Sequence, residues 1–493
     1  MILNAVYLDF KGKQNYIFSS NKLRTHIGAS AIIEKEALGS VLIDLLRKTE
    51  PLLNVSDWYR SAEIIIHPDK CLSIGFIGGG NALLFFRETE NAQVFIADYS
   101  LLLTSKYPGL QFVCTLLDDF DASDTGFEES RKRLHRETKI SEKLYIGRRG
   151  FKKWGYEKQC ALSSGPANVY NKTVKSWVSA ELDSKIQASG KLTLKEILSS
   201  NDYLTEKFEL SNEIDNLNAD EEKGYIAVIH LDGNGLGKKF REETGNLKKL
   251  RDLSYKTNSQ LETALASLLE MVCNDFNKEV FNIDLPRKNN KKILPIRPII
   301  NAGDDITIVC HGSLGLRYTI EYMNLLAKDG LFTCAGVLVC KKHQPLHMAY
   351  EFAEKLAAKA KEKSRKWPNT AWLSYCITPD MLGDHIFEYF INDKQEQVST
   401  IPYQVLDGNS EDFKSEFDLM LEKAIKLSEY PKGKLYQAKM GFLDTYKQDA
   451  IRAELITIFK NDPLKQTQSF FEDYSYDAFE ILDFYALHKS EHQ

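Results

Sequence analysis

LPIRPIINAGDDITIVC, residues 294–310, reads as two apolar strands folded back on each other at a turn of small residues. LPIRPII (294–300) and DITIVC (305–310) are rich in β-branched residues, as strands are. Ala302 and Gly303 suit a tight hairpin in which one residue takes positive φ. Two carboxylates, Asp304 and Asp305, stand at its tip. Upstream, GYIAVIHLD (224–232) is a buried-strand pattern that ends in a third carboxylate, Asp232. Residues 246–279 have helical apolar spacing, 314–328 read as a helix, FTCAGVLVCK (332–341) as a strand and 346–365 as a charged helix. The order βαββαβα predicts a ferredoxin-like sheet with helices on one face.

The first part of the chain repeats this order. NAVYLDF (4–10) reads as a strand, 21–48 as a helix, and SAEIIIH (61–67) and CLSIGF (71–76) as extended chain. NALLFF (81–86) follows the turn Gly78-Gly79-Gly80, 90–106 is helical, and LQFVCTLLD (110–118) is a strand. The register agrees as well. Asp9 ends the first strand and Asn81 follows its glycine turn 72 residues later; Asp232 and Asp304 are separated by the same 72 residues. Matching spacing, strand order and turn chemistry together indicate a duplicated fold.

Three carboxylates gathered at one sheet edge raise each other's pKa and call for cations. Magnesium prefers oxygen ligands and bridges phosphates, so Asp232, Asp304 and Asp305 are candidate metal ligands and catalytic residues. Taken singly, Asp232 in DGNG is a turn former and Asp304–Asp305 a solvated hairpin tip; the convergence carries the chemical reading. The loop Gly233-Asn234-Gly235-Leu236-Gly237 offers backbone N–H groups to phosphate oxygens at a strand-to-helix turn. Its spacing is neither that of a dinucleotide fingerprint nor that of a Walker A loop. Lys355, Lys359 and Lys363 share one helix face by i, i+4 spacing, and Lys361 lies off it.

The bulk numbers set the frame. With 493 residues, two to four domains are expected. Apolar residues make up 43%, charged residues 27%, and the net charge is −5, which excludes a uniformly basic coat for nucleic acid. Eight scattered cysteines form no CxxC pair. The opening MILNAVYLDF is no signal peptide, and no apolar stretch reaches the ~20 residues of a membrane span, so a cytoplasmic protein is expected.

Three other segments carry candidate features. Cys340, His343 and His347 have ligand-like spacing, but no fourth ligand is evident. Residues 131–153 hold ten Lys or Arg against two Glu, with Tyr145, Phe151, Trp154 and Tyr156 interleaved or adjacent. That composition suits single-stranded nucleic acid, or a solvated helix with a linker. FFEDYSYDAFEILDFY (470–485) reads as a packing or docking helix.

These motifs together resemble the palm-type large subunit of type III CRISPR effector complexes, the cyclic oligoadenylate synthetase family. LDFKGKQNYIFSSNKLRTHIGAS (8–30) is similar to that family's first palm opening and HLDGNGLGKKF (230–240) to its second. NAGDDITIV is similar to its GGDD hairpin, and CAGVLVCKKHQPLHMAYEFAEKLAAKAK (334–361) to its AG strand and AE…AK helix, with Lys361 in the final AK. The resemblance covers roughly residues 1–375. Several positions depart from the family pattern. Ala302 replaces a glycine, Asn234 stands where a second Asp is common, and Asn81-Ala82 replace carboxylates in the first palm. The family's cysteine-ligated zinc element is reduced to Cys160 near SSGPA (163–167), so no zinc is expected. The first palm begins at residue 1, so the family's His-Asp nuclease domain is expected to be missing.

The resemblance implies a degenerate, nucleotide-binding first palm (1–137), a basic helical linker region (138–222), a second palm with the catalytic hairpin (223–375) and a helical C-terminal region (376–493). It implies two ATP molecules, one held by magnesium or manganese on Asp232, Asp304 and Asp305, near Gly233, Asn234, Gly235, Gly303 and Lys361. The other would lie near Asp9, Ser30, Gly79, Gly80 and Asn81. The expected product is a cyclic oligonucleotide messenger read by a downstream effector. Two competing readings are a cyclase making a cyclic mono- or dinucleotide, and a non-catalytic scaffold that binds guide RNA and sister subunits through residues 131–153.

Overall fold

The computed structural model describes residues 2–51, 53, 71–144, 157–163, 165–220, 224–242, 244–302, 305–378, 401–410, 413–436 and 476–486. The expected strand 61–67, the residues Gly303 and Asp304, and the basic and aromatic stretch 145–156 lie outside them. The chain forms two compact units. The first is Met1–Ile214 with Gly235–Ala266 and Pro298–Ile306; the second is Asp215–Asn234, Ser267–Arg297 and Thr307–Gln493.

In the first unit, β1 (Ile2–Lys11), β2 (Leu72–Gly78), β3 (Asn81–Phe86) and β4 (Gln111–Asp121) form a sheet of order β2-β3-β1-β4. All its pairings are antiparallel. This is the expected ferredoxin-like order. One face packs on the helix Thr89–Lys106, where Phe95 and Tyr99 meet Phe86 and Phe112. The other face is covered too, although the sequence pattern suggested helices on one face only. Ala5, Tyr7, Leu83, Phe85 and Leu117 pack against Phe127 and Leu134 of the helix Phe127–Leu144, and against Leu247 and Leu250. The reason lies in β3: every residue after Asn81 is buried, so both faces of that strand need cover.

The helix expected over 21–48 is interrupted. Leu23–Ala31 is α-helical, Ile32–Val41 is a π-helical stretch and Leu42–Thr49 returns to α. Gly39, at φ −97° and ψ −107°, leaves the helical region. Further along, β5 (Val169–Asn171) and β6 (Ser176–Val178) pair as a hairpin. The helix Ala180–Ala188 follows, with the Ser179 side chain accepting from the Leu182 amide as its N-cap. A short strand, β7 (Phe208–Leu210), comes next.

The second copy of the pattern begins with β8 (Tyr225–Gly233). After the hairpin of β9 (Arg287–Lys288) and β10 (Lys291–Leu294) come β11 (Ile296–Ala302), β12 (Asp305–His311) and β13 (Thr333–Lys341). Two strands that the sequence reading did not foresee, β14 (Thr370–Ile377) and β15 (Tyr403–Asp407), extend the sheet. The order is β11-β12-β8-β13-β14-β15. Its first four strands repeat the order of the first sheet: second, third, first, fourth. β13 runs antiparallel to β8 and parallel to β14, the helix Leu346–Ser364 making the crossover.

Candidate functional site

Asp232 is the penultimate residue of β8, opposite Cys334 of β13. Buried residues fill the strand before it, so the pleat fixes where its carboxylate leaves the sheet. The helix Leu346–Ser364 runs over this sheet and brings the Lys361 ammonium onto the Asp232 carboxylate. Both side chains are about three-quarters buried. Lys355 and Lys363 are exposed, while Lys361 is turned inward as its off-row position predicts.

The turn after β8 is held from three sides. The Asn234 backbone N–H donates to Phe332 O at 2.9 Å, and its side-chain amide donates to Thr370 O at 2.7 Å. Ser364 Oγ donates to Asn234 Oδ1 at 3.3 Å. Asn234 thus ties the strand end to β14 and to the end of the Lys361 helix. Gly235 has φ +71°, the left-handed conformation that favours glycine.

Asp305 opens β12, the strand beside β8 in the sheet. Within the first unit it lines a small cavity with Lys13, Gln14, Ser30, Glu34, Gly79 and Gly80. Ser30 is buried and donates to Glu34 Oε1 at 3.3 Å. Burial pushes the Glu34 carboxyl up to about 7, against Lys35 and the Ser30 hydroxyl, which favour its charged form. Lys13 Nζ donates to Gly79 O at 2.7 Å. Gly79 and Gly80 have φ +60° and +82°, and a β-carbon on Gly80 would meet Lys13 Nζ at 2.6 Å. Sequence reasoning named Ser30 and the glycines but missed Lys13 and Glu34. Glu34 lies one helical turn past Ser30, a spacing that points to the same face.

Asp9 and Asn81 face each other across β1 and β3, as the 72-residue register implies. With its side-chain amide turned so that the nitrogen faces these oxygens, Asn81 Nδ2 donates to Asp9 Oδ1 at 2.5 Å and to Gly80 O at 3.0 Å. Lys11 pairs with Asp9 and also with Glu142, at 2.5 Å. The first copy therefore satisfies its strand-end carboxylate with an amide and an ammonium. Among the described residues no group of three His, Cys, Asp or Glu side chains is arranged for a metal ion; Asp304 lies outside them. The Cys340 thiol, of the spacing noted above, is buried and pushed up to about 12, so it stays protonated.

A larger cavity of about 780 Å³ lies in the first unit. Its walls are the sheet face carrying Tyr7, Phe76 and Leu83, the helix Phe127–Leu144, and chain from Leu236 to Asn258. The hairpin turn enters it through Gly78, Gly79 and Asn81. Among the described residues, no helix is long and apolar enough to cross a membrane.

No protein-family model and no curated protein matches the chain. Solved structures do. A Csm1–Csm4 cassette in complex with cA3 aligns over 98% of this chain and 69% of its own, at 13% identity and TM-score 0.50. The cassette in complex with pppApApA aligns over the same shares at 12% identity and TM-score 0.50. Csm1 of T. onnurineus aligns over 97% of this chain and 66% of its own, at 13% identity and TM-score 0.51. At such identity the likeness is one of fold, and the fold of this chain is that of Csm1, the architecture implied by its resemblance to the large subunit of type III CRISPR complexes.

Proposed function

We propose that this chain is a nucleotidyltransferase that joins ATP molecules through 3′–5′ phosphodiester bonds into a cyclic oligoadenylate, as part of antiviral defence. The observation that carries the reading is the repeated strand order with unequal ends. In the second copy Asp305 opens β12, which neighbours β8, the strand with Asp232 as its penultimate residue, and the sequence puts Asp304 just before it; in the first copy Asn81 opens the corresponding strand β3. One copy is equipped for chemistry and the other for holding a nucleotide.

The donors fit magnesium or manganese. They are carboxylate oxygens, and Asp232 already faces a cation, the Lys361 ammonium. Asp232, Asp304 and Asp305 would hold the metal, which when bound neutralises the triphosphate and lowers the pKa of the attacking hydroxyl. Lys361 and the backbone of Gly233, Asn234, Gly235 and Gly303 would hold triphosphate oxygens. The acceptor ATP would lie against Ser30, Lys13 and the Gly79-Gly80-Asn81 turn, near Asp9. Its 3′-hydroxyl attacks the α-phosphorus of the held triphosphate; the 3′–5′ bond forms, the bond to the β-phosphate breaks and pyrophosphate leaves. Repetition and a final intramolecular attack close the ring.

The solved Csm1–Csm4 cassettes with cA3 and pppApApA support a ligand of this class. By the same likeness a sister subunit of the Csm4 kind is a proposed partner, with guide RNA reached through residues 131–153. The division into palms at 1–137 and 223–375, a linker region at 138–222 and a C-terminal region at 376–493 belongs to this proposal, as does a cytoplasmic location. Incubation with each labelled ribonucleoside triphosphate and magnesium or manganese, with products identified by mass, tests it. A cyclic adenylate is expected. A product made equally from all four triphosphates would argue against the ATP assignment.

A further inference from the structure

Lys185 lies on the helix Ala180–Ala188, between the two copies of the repeat in sequence, and its side chain is fully enclosed. A lysine ammonium has three N–H donors, and here all three are engaged. It donates to Tyr16 O at 2.6 Å, to Ser19 Oγ at 2.8 Å and to Glu181 Oε1 at 2.5 Å. Ser19 Oγ donates in turn to the same Glu181 oxygen at 3.1 Å. The centroid of the Tyr16 ring is 3.7 Å from the ammonium, within cation–π range. Glu181 is a local partner, one helical turn away. Tyr16 and Ser19 belong to the first copy, 169 and 166 residues away.

These partners bracket two residues of the small cavity. Tyr16 sits in the short helix Lys13–Ile17, one turn after Lys13. Ser19 opens the link to the helix Leu23–Ala31, which carries Ser30. On that helix Gly28 packs against the Lys185 backbone, with no room for a β-carbon beside its carbonyl oxygen. Two ion pairs flank this contact: Arg24 with Glu213 at 2.7 Å, and Glu36 with Lys191. Glu36 also accepts from the Tyr107 hydroxyl at 2.6 Å. The chain from Tyr16 to Glu36 is thus held at its start, middle and end by the segment 180–213. Lys13 and Ser30 line one cavity with Gly79 and Gly80, and their separation follows from how that chain is held.

Stability does not account for the enclosed ammonium. Burial lowers its pKa, with Glu181 opposing, so the charged form is held against a desolvation cost. An apolar side chain of similar length would fill the same space, and such replacements of buried ion pairs are often neutral or stabilising. The flanking pairs are partly exposed and contribute little. Three directed hydrogen bonds supply what a methylene chain does not: a fixed distance and angle between the helices Lys13–Ile17 and Ala180–Ala188. Through Gly28 the same geometry passes to the helix Leu23–Ala31. We infer that Lys185 is a positioning residue for the acceptor nucleotide: it touches no nucleotide itself and sets Lys13 and Ser30 in register across the small cavity. The inference rests on the acceptor reading given above, and it needs no catalytic step.

Calorimetric titration of the full chain with α,β-methylene-ATP, which cannot release pyrophosphate, separates the two nucleotide places. In EDTA the carboxylates Asp232, Asp304 and Asp305 repel a triphosphate, so only the acceptor place is read. Manganese adds the second place. Lys185→Met keeps the volume of the side chain and removes its hydrogen bonds. Its affinity in EDTA falls about tenfold, as a displaced binding group predicts, while the manganese-dependent site changes less than about twofold. Its melting temperature shifts by less than about 3 °C. Ser19→Ala removes one exposed acceptor of the same ammonium and leaves the core intact. It gives a loss of about threefold, again confined to EDTA, and decides the matter alone if Lys185→Met does not fold. Equal losses with and without manganese would overturn the inference. So would wild-type affinity in EDTA for Ser19→Ala or for a folded Lys185→Met, and so would no wild-type binding in EDTA at millimolar probe. No pyrophosphate release from ATP by wild type, with the EDTA losses as expected, would instead count against the transferase reading alone.

Discussion

Lys361 and Asp232, 129 residues apart, are joined by an ammonium–carboxylate contact at the end of β8. The helix Leu346–Ser364 delivers the cation and the strand delivers the anion, so two elements converge on one charge pair. A pair of this exposure contributes little to folding, on the order of 0.5 kcal/mol. Its position at the strand end is better explained by what arrives there. Lys361→Met is therefore expected to lower the turnover of ATP tenfold or more while shifting stability by less than about 1 kcal/mol. Steady-state kinetics beside a urea melt would check the split; a large stability loss with normal turnover would make Lys361 structural.

Asn81 stands opposite Asp9 where the second copy has its hairpin carboxylates. An amide is a weak magnesium ligand, and here it donates to Asp9 and Gly80. Asn81→Ala is expected to retain more than a tenth of wild-type synthesis, and Asp305→Ala less than a hundredth. Equal losses at the two positions would mean that the first copy also holds a catalytic metal.

The four repeated strands of each sheet were legible in the sequence because they are β-branched runs closed by glycine turns, whereas β14 and β15 were not; the 72-residue register survives as the Asp9–Asn81 pairing. Three further features were not legible. Gly39 breaks a pattern whose apolar spacing is helical throughout, since periodicity reports the buried face and not the hydrogen-bond ladder. The cavity beside Phe127–Leu144 left no mark on the pattern, because a charged helix face has the same spacing whether or not a cavity adjoins it; Lys132, Arg136 and Lys139 are exposed and also line that cavity. Asn234 reads in the sequence only as a departure from a second Asp; its amide is engaged with Thr370 and Ser364, partners more than a hundred residues away.

Gly28, in the segment HIGAS, illustrates a motif residue with a packing cause. A β-carbon there would lie 1.7 Å from the Lys185 carbonyl oxygen, on the helix Ala180–Ala188. That helix is anchored by the fully buried Lys185 ammonium, which donates to Tyr16 O at 2.6 Å and pairs with Glu181 at 2.5 Å. Backbone cannot yield as a side-chain tip does. Gly28→Ala is expected to destabilise the protein by about 2–3 kcal/mol, as overpacking does. Denaturant melts would measure it, and a loss below ~0.5 kcal/mol would show that the helices slide apart freely.

His311 supplies a pH signature. Burial lowers its pKa from 6.5 to about 4, with Asp220 opposing, and Ser313 N donates to its Nδ1 at 3.3 Å. The folded state disfavours the proton that the unfolded chain accepts. Its neutral form is therefore fully accommodated above pH 6.5, and stability is lost as pH falls from about 6.5 toward about 4. Replacing it by Gln should remove on the order of 2 kcal/mol of that slope across the window. Melts of the two proteins at pH 7 and pH 4.5 give the difference; parallel pH dependence would place the titration elsewhere.

The most direct test is pyrophosphate release and product mass from ATP with magnesium, with and without single-stranded RNA. Wild type would be compared with the double variant Asp304→Ala, Asp305→Ala. The account predicts 3′–5′-linked cyclic adenylate and pyrophosphate from wild type, and less than a few percent of either from a double variant that melts normally. Cyclic product from the double variant at wild-type level, or no phosphodiester product from wild type under any of these conditions, would contradict it.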